Sequence, residues 1–144
     1  LWRSDEAADF RVHNRLNTNV GILKLFPGIS KTILQSVLRS KLIKGLILET
    51  YGAGNATTDK WFIELLKEAI DRGLYIINVT QCIGGGVRMG QYDTSAELKN
   101  IGVISAKDMT TEASVTKLML MLGTEVEAKS FKHRFETSIR GELS

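Results

Sequence analysis

Residues 45–70 read GLILETYGAGNATTDKWFIELLKEAI, and their pattern decides the fold. The segment begins with the apolar run GLIL, passes through a glycine-rich turn, YGAGN, at 51–55, and continues into a stretch where apolar residues recur every three or four positions. A short apolar run predicts a buried strand, and the recurrence predicts a helix with one buried face. The segment is therefore predicted to be a strand, a tight turn and a helix, with Thr58 as the helix cap and Gly73 as its stop.

Similar units lie on both sides of this segment. Further strands are predicted for VGILKLF at 20–26, LYIINVTQ at 74–81 and VISA at 103–106. Further helices are predicted after Ser30, over DTSAELKNIG at 93–102, from Thr110 or Thr111 to Gly123, and over 125–139.

Strands that are almost entirely apolar are typical of a parallel sheet covered on both faces. The predicted fold class is α/β, a small three-layer domain with a four-stranded parallel sheet and helices on both faces. In such a sheet, ligands bind at the carboxyl ends of the strands, and glycine-rich segments follow two of the strands here.

Composition bounds the function. The chain has 144 residues, of which 43% are hydrophobic and 24% charged, and this is typical of one globular domain. The net charge is +3, but basic and acidic residues are interspersed, so no nucleic acid is predicted as a partner. No apolar run reaches the roughly 20 residues that span a membrane. Cys82 is the only cysteine, which excludes an internal disulfide and favours the cytoplasm.

The YGAGN turn does not match a dinucleotide-binding fingerprint. Gly52, Gly54 and Thr57 form GxGxxT without the third glycine, and the strand at 74–81 ends without an acidic residue for a ribose. No cofactor is predicted, and two glycines are explained by a tight reversal of the chain. Asn55 leaves two interpretations open: a cap or left-handed structural residue, or a ligand whose amide offers one acceptor and two donors to a small amino acid.

The remaining reactive residues predict no catalytic or metal site. His13 and His133 lie far apart in sequence and have no partners at metal-ligand spacing, so no metal is predicted. Cys82 follows a predicted buried strand, and its thiol is expected to be partly buried and unreactive.

Several stretches, in this order, resemble the C-terminal domain of bacterial cytoplasmic, type I L-asparaginases. They are KLFPGIS at 24–30, YGAGNA at 51–56, DRGLYIINVTQC at 71–82, GGVRMGQY at 85–92, IGVISAKDMTTEASVTKLMLMLG at 101–123 and the terminal IRGELS. The resemblance implies that residues 17–144 form the asparaginase C-terminal α/β domain and that residues 1–16, which are polar and begin without methionine, are the remnant of an interdomain linker.

The resemblance also implies a division of labour. In that family the nucleophilic threonine lies in a TGGTI-like motif, and a threonine–aspartate pair in an HGTDT-like motif works with a lysine; all belong to the N-terminal domain. Neither motif occurs here. No core catalytic residue is therefore expected in this chain, which alone should hydrolyse nothing.

The resemblance implies that this domain contributes residues to the active site of a neighbouring copy. Asn55 matches the asparagine of the family's GxGN turn, which reaches the substrate region of the partner. Tyr92, in MGQY, matches a tyrosine brought to the neighbouring site, although Gln91 and Asp93 depart from the usual MGGY and small residue. The implied partners are its own N-terminal domain, further copies in a homodimer or homotetramer, and L-asparagine.

Some type I enzymes also bind asparagine at a regulatory site between subunits. By resemblance, Thr80 and Cys82 would line it, together with an arginine that is Glu49 here. An arginine clamps a carboxylate through two parallel hydrogen bonds, whereas a glutamate repels it, so regulation by asparagine is not expected.

Two other functions stay open on the sequence. The parent could be an asparaginase-like component that supplies ammonia to a tRNA-dependent amidotransferase. Alternatively, the chain could be a non-catalytic small-ligand-binding or regulatory dimerisation module.

Overall fold

The computed structural model describes residues 12, 14–57, 59–90 and 93–144, with the backbone alone at 93 and 94. Within these residues the strands and helices alternate along most of the chain. They are β1 (Val20–Lys24), α1 (Lys31–Leu38), β2 (Gly45–Thr50), α2 (Lys60–Asp71), β3 (Tyr75–Thr80), α3 (Asp93–Asn100), β4 (Ile104–Ser105), α4 (Thr111–Gly123) and α5 (Ala128–Phe135).

The described strands form one parallel sheet in the order β1-β2-β3-β4. Each connection moves one strand further in the same direction, and right-handed crossovers then carry α1, α2 and α3 to the same face. The helices after β4, α4 and α5, pack on the opposite face, where Leu118 and Phe131 meet the sheet. The predicted three-layer α/β fold is confirmed.

Alternation along β2 explains why GLIL is apolar at every position. Leu46 and Leu48 pack with the core of α1 and α2, whereas Ile47 between them packs with α4 and α5. All three are fully buried. Burial on both faces therefore requires an uninterrupted apolar run, which is the signal that predicted a parallel sheet.

The structure corrects several element boundaries. Asp59 occupies the N-cap position of α2 that was predicted for Thr58, and Thr58 itself lies outside the described residues. The last helix is shorter than the predicted 125–139: it begins at Ala128, after Glu125 with a positive φ of 52° that is incompatible with a helix, and ends at Phe135 with Glu136 as its C-cap. The predicted caps Ser30 and Thr110 are confirmed, each accepting a backbone N–H bond.

An ion pair between the buried Lys117 and the half-buried Glu142 closes the C-terminal segment over α4. Lys117 donates to the Glu142 carboxylate and, at 2.6 Å, to the Thr137 carbonyl. Burial would raise the pKa of Glu142, but hydrogen bonds from Lys117 and from the N–H groups of Arg140 and Ile139 outweigh it and lower the pKa to about 2 from 4.5. The segment is therefore held by a carboxylate that needs to be ionised.

Acid should release this contact. Because the folded-state pKa lies below the unfolded value, the stabilisation is complete above pH 4.5 and is lost as the pH falls toward 2. Allowing for partial exposure, the contribution to the free energy of unfolding is about 2 kcal/mol. Urea denaturation at pH 7, 4 and 2.5 measures it, and Glu142→Gln should remove that part of the decline. The exposed Glu97→Gln serves as control, and identical pH profiles for all three proteins would contradict the assignment.

Candidate substrate-supporting site

Parallel pairing brings the carboxyl ends of the strands to one edge of the sheet. The described segments that leave this edge are residues 25–30, 51–57, 81–90 and 106–110. They include the FPGIS, YGAGN and glycine-rich 84–86 stretches. This is the edge where ligands of open α/β sheets bind, as the sequence predicted.

The YGAGN turn is a closed loop of backbone hydrogen bonds. The Tyr51 N–H donates to the Asn55 carbonyl and the Asn55 N–H donates to the Tyr51 carbonyl, both at 2.8 Å. The Gly54 N–H also donates to the Tyr51 carbonyl, at 3.0 Å. The backbone of Asn55 is thereby fixed with respect to the end of β2.

Two side chains of β3 hold the glycines of this turn. The Asn78 amide donates from Nδ2 to the Gly54 carbonyl at 3.0 Å, and the Thr80 hydroxyl donates to the Gly52 carbonyl. Asn78 and Thr80 are two residues apart and therefore point to the same face of the strand. We call this pair of side chains, with their bonds to the two carbonyls, the β3 clamp.

The Asn78 side chain is itself fixed by β2. Its Oδ1 accepts a hydrogen bond of 2.6 Å from the Thr50 hydroxyl, and both residues are fully buried. This bond determines the orientation of the amide, because Oδ1 must face a hydroxyl donor while Nδ2 faces the Gly54 carbonyl. A buried polar group is costly unless its partners are present, so the network tolerates little rearrangement.

Further backbone bonds attach the turn to the next loop. The Arg88 N–H donates to the Ala53 carbonyl at 2.9 Å. Gln81 donates from Nε2 to the carbonyls of Leu25 and Glu49, at 2.7 and 2.9 Å, and so ties the ends of three strands together. The roles of Thr50, Asn78 and Gln81 were not predicted from the sequence; polar residues within or directly after an otherwise apolar strand are the signal that could have found them.

Asn55 is neither the cap of the following helix nor a residue in the left-handed conformation, the two structural roles that the sequence left open. The N-cap of α2 is Asp59, and Asn55 is not among the described non-glycine residues with positive φ. Its side chain is half-buried at the carboxyl edge of the sheet. Tyr92, the second predicted supporting residue, lies outside the described residues.

The predicted regulatory residues lie at the same edge, and the polar side chains of Glu49 and Thr80 are engaged there. The Glu49 carboxylate accepts a 2.7 Å hydrogen bond from the Thr111 hydroxyl and lies 3.9 Å from the Lys24 ammonium. Thr80 donates to Gly52 and accepts from the Cys82 N–H at 3.0 Å. Neither side chain offers a cation to a carboxylate ligand.

The predicted burial of the Cys82 thiol is wrong, because Cys82 is exposed. The chain leaves the sheet directly after β3 ends at Thr80, and Gly84 has a positive φ of 71° in the turn that follows. Cys82 therefore lies on the outer side of this turn, beside the fully exposed Ile83.

The described residues contain neither a metal-ligand cluster nor a membrane-spanning helix. In the described part of the chain, no three His, Cys, Asp or Glu residues come together as a metal site would require. None of the described helices is both long and apolar enough to cross a membrane.

The parallel sheet and the loops at its carboxyl edge place the chain among parallel α/β domains, in which ligands bind at the carboxyl ends of the strands. The chain belongs to the glutaminase/asparaginase C-terminal domain family, whose sequence profile matches residues 19–135. It is 41% identical over 133 residues to L-asparaginase 1 of Escherichia coli K12, covering 92% of this chain and 39% of the relative. It is 40% identical over 146 residues to the L-asparaginase of Dirofilaria immitis, covering all of this chain and 24% of that relative.

Solved structures show the same likeness. The crystal structure of L-asparaginase I from Vibrio cholerae superposes with a TM-score of 0.88 at 34% identity, covering 96% of this chain and 41% of that one.

A more distant relative by sequence, a component of the glutamyl-tRNA(Gln) amidotransferase of Pyrococcus furiosus, is 29% identical over 143 residues, which are 32% of its length. The chain thus spans well under half the length of each of these proteins.

The two glycines of the turn differ in what they tolerate, which allows a matched test. In Gly54→Ala the new Cβ would lie 2.7 Å from Val87 Cγ1 and 3.2 Å from Asn78 Nδ2, at a φ of +104° that L residues avoid. The free energy of unfolding should fall by about 3 kcal/mol or more. Gly52→Ala meets nothing within 4 Å at φ +49° and should cost about 1–2 kcal/mol. Urea denaturation at pH 7 compares them, and equal losses would exclude the tight approach at Gly54.

Proposed function

We propose that this chain is the C-terminal domain, residues 17–144, of an L-asparaginase that hydrolyses L-asparagine with water to L-aspartate and ammonia. Residues 1–16 are then the end of the linker from an N-terminal domain that carries the nucleophilic threonine. The domain supports the active site and the interface between copies, performs no bond cleavage itself and needs no cofactor. Family membership supports this function, and the fixed turn that carries Asn55 supports the role of the domain.

In this proposal, the side chain of Asn55 contacts the amino-acid substrate. Its carboxamide offers an oxygen to the ammonium group of an amino-acid substrate or two N–H donors to its carboxylate. A contact of this kind assists catalysis only when it is oriented before the substrate arrives. The observation that carries the proposal is the turn itself, whose backbone is closed by Tyr51 and held by Asn78 and Thr80.

The assembly follows from the same role. Asn55 reaches the active site of a neighbouring copy, so the parent is a homodimer or homotetramer, and Tyr92 is brought to the same site. The compartment we propose is the cytoplasm.

Regulation by asparagine is not part of the proposal. A regulatory pocket lined by Thr80 and Cys82 would present Glu49 where a carboxylate needs a cation. The Glu49 carboxylate is paired with Thr111 and Lys24, and the Thr80 hydroxyl serves the β3 clamp.

A second function is favoured by one comparison. The 29% identity to a component of an archaeal glutamyl-tRNA(Gln) amidotransferase supports a parent that releases ammonia for transfer to a tRNA-bound amino acid. The higher identity to L-asparaginases, 41% and 40% over nearly all of the chain, favours the free amino acid as substrate.

Asn55→Ala in the full-length protein should lower kcat for asparagine by about tenfold or more, because a preorganised polar contact is lost. The turn should remain folded, since its bonds to Tyr51 come from the backbone. Ammonia release measures the rate, and Asn100→Ala, an exposed asparagine at the end of α3, is the control. Wild-type turnover in Asn55→Ala would remove Asn55 from the site.

The chain by itself should release no ammonia from asparagine and should bind asparagine too weakly to detect by calorimetric titration at millimolar ligand. The nucleophile is proposed to lie elsewhere, and Glu49 repels a carboxylate at the position where the family places an arginine. Saturable binding of asparagine by this chain alone would favour the regulatory or sensing module over the supporting domain.

A further inference from the structure

A basic pocket lies beside β4, at the end of the sheet away from β1. It is a cavity of about 310 Å³ on the surface, close to the lower limit of volumes found for small-ligand sites, about 300 Å³. Its charged lining consists of Arg88, Lys99, Lys107, Lys132 and Glu136. The five come from four segments: the loop after β3, α3, the loop after β4, and α5 with the residue that ends it.

The charge of this basic pocket is strongly unbalanced. Four cations face one carboxylate, a surplus of three positive charges, which equals the formal net charge of +3 of the entire chain. The rest of the chain is therefore neutral overall. None of the four cations takes part in an ion pair among the described residues. Like charges repel, so their convergence on one cavity is costly unless an anion is present.

The Glu136 carboxylate and the Lys107 ammonium are engaged with the backbone. Glu136 Oε1 accepts a hydrogen bond from the Ser105 N–H at 3.3 Å, and Lys107 Nζ donates to the Glu136 carbonyl at 2.6 Å. Lys107 adopts a positive φ of 54°, and its backbone is held by Val87 and by the Ser105 hydroxyl. These bonds fix Lys107 and Glu136 within the pocket. The exposed Arg88, Lys99 and Lys132 remain as the cations that can bind a ligand.

We propose that this basic pocket binds a multivalent oxyanion of the phosphate class. A phosphate group carries about two negative charges near neutral pH, so it offsets most of a surplus of three, which a single carboxylate cannot. The planar guanidinium of Arg88 suits two parallel bonds to phosphate oxygens, and the flexible lysines supply point charges around it.

The basic pocket is connected by backbone hydrogen bonds to the turn that carries Asn55. The backbone N–H of Arg88 donates to the Ala53 carbonyl, in the turn that carries Asn55, and the Val87 N–H donates to the Lys107 carbonyl. Arg88 of the pocket is thus hydrogen-bonded through its backbone to the turn, and the neighbouring Val87 is bonded to the loop that carries Lys107. Binding itself does not depend on the asparaginase proposal and is tested without it.

Calorimetric titration of the chain with inorganic pyrophosphate at low ionic strength tests the site. Binding should be saturable with one site per chain and should weaken steeply with added salt. The double variant Arg88→Gln with Lys132→Gln should weaken it by at least about tenfold, since two charge-assisted contacts are lost. Lys41→Gln removes one exposed charge outside the pocket, between α1 and β2, and should change the affinity less than about twofold.

Three results would overturn the proposal: no saturable binding at millimolar pyrophosphate, equal weakening by Lys41→Gln and by the double variant, or acetate binding as tightly as phosphate. Circular dichroism of each variant excludes loss of the fold, which is not expected because Arg88 and Lys132 are exposed. Titration with AMP beside inorganic phosphate decides the source of the phosphate. Tighter binding of AMP assigns the pocket to a phosphate monoester, and equal or weaker binding assigns it to the free anion.

Discussion

The hydrogen-bonded amide of Asn78 is the constraint on which the candidate site depends. It lies fully buried in β3, receives a bond from Thr50 in β2 and gives one to the carbonyl of Gly54. Burial makes both bonds obligatory, because an unpaired amide in the core would cost about 1–3 kcal/mol. The turn that presents Asn55 is therefore held from below by the sheet, and it does not rely on the surrounding loops alone.

The sheet edge that carries the candidate site was predictable, but the hydrogen bonds that support the turn were not. An apolar run on both faces of each strand predicts parallel strands, and parallel strands place their carboxyl ends at one edge. Motif order identified Asn55 on that edge. The polar residues of INVT signal a buried polar contact, but nothing local indicates that Gly54 lies within reach of Asn78, because that contact joins residues 24 positions apart. Long-range pairing of buried polar groups is decided by register, here Leu48 against Asn78 and Thr50 against Thr80.

The errors of the sequence predictions share a physical origin. Asp59 replaces Thr58 at the N-cap, Cys82 is exposed, and Glu125 delays the start of the last helix. Each lies where a regular element ends, and there the backbone conformation of one residue outweighs the periodicity of its neighbours. The interior of β2, where side chains pack into the core on both faces, agrees with the predicted pattern, as residues 46–48 illustrate.

The sheet, through Thr50 and Asn78, holds the turn that carries Asn55. Amide hydrogen exchange in Thr50→Val, with the surface substitution Thr116→Val as control, measures this restraint. The amides of Gly54 and Asn55 should exchange about tenfold faster or more in Thr50→Val, relative to the amide of Ile77 in the sheet, because local opening of the turn is no longer restrained. Unchanged protection of Gly54 and Asn55 in Thr50→Val would show instead that the turn is ordered by its own backbone bonds alone.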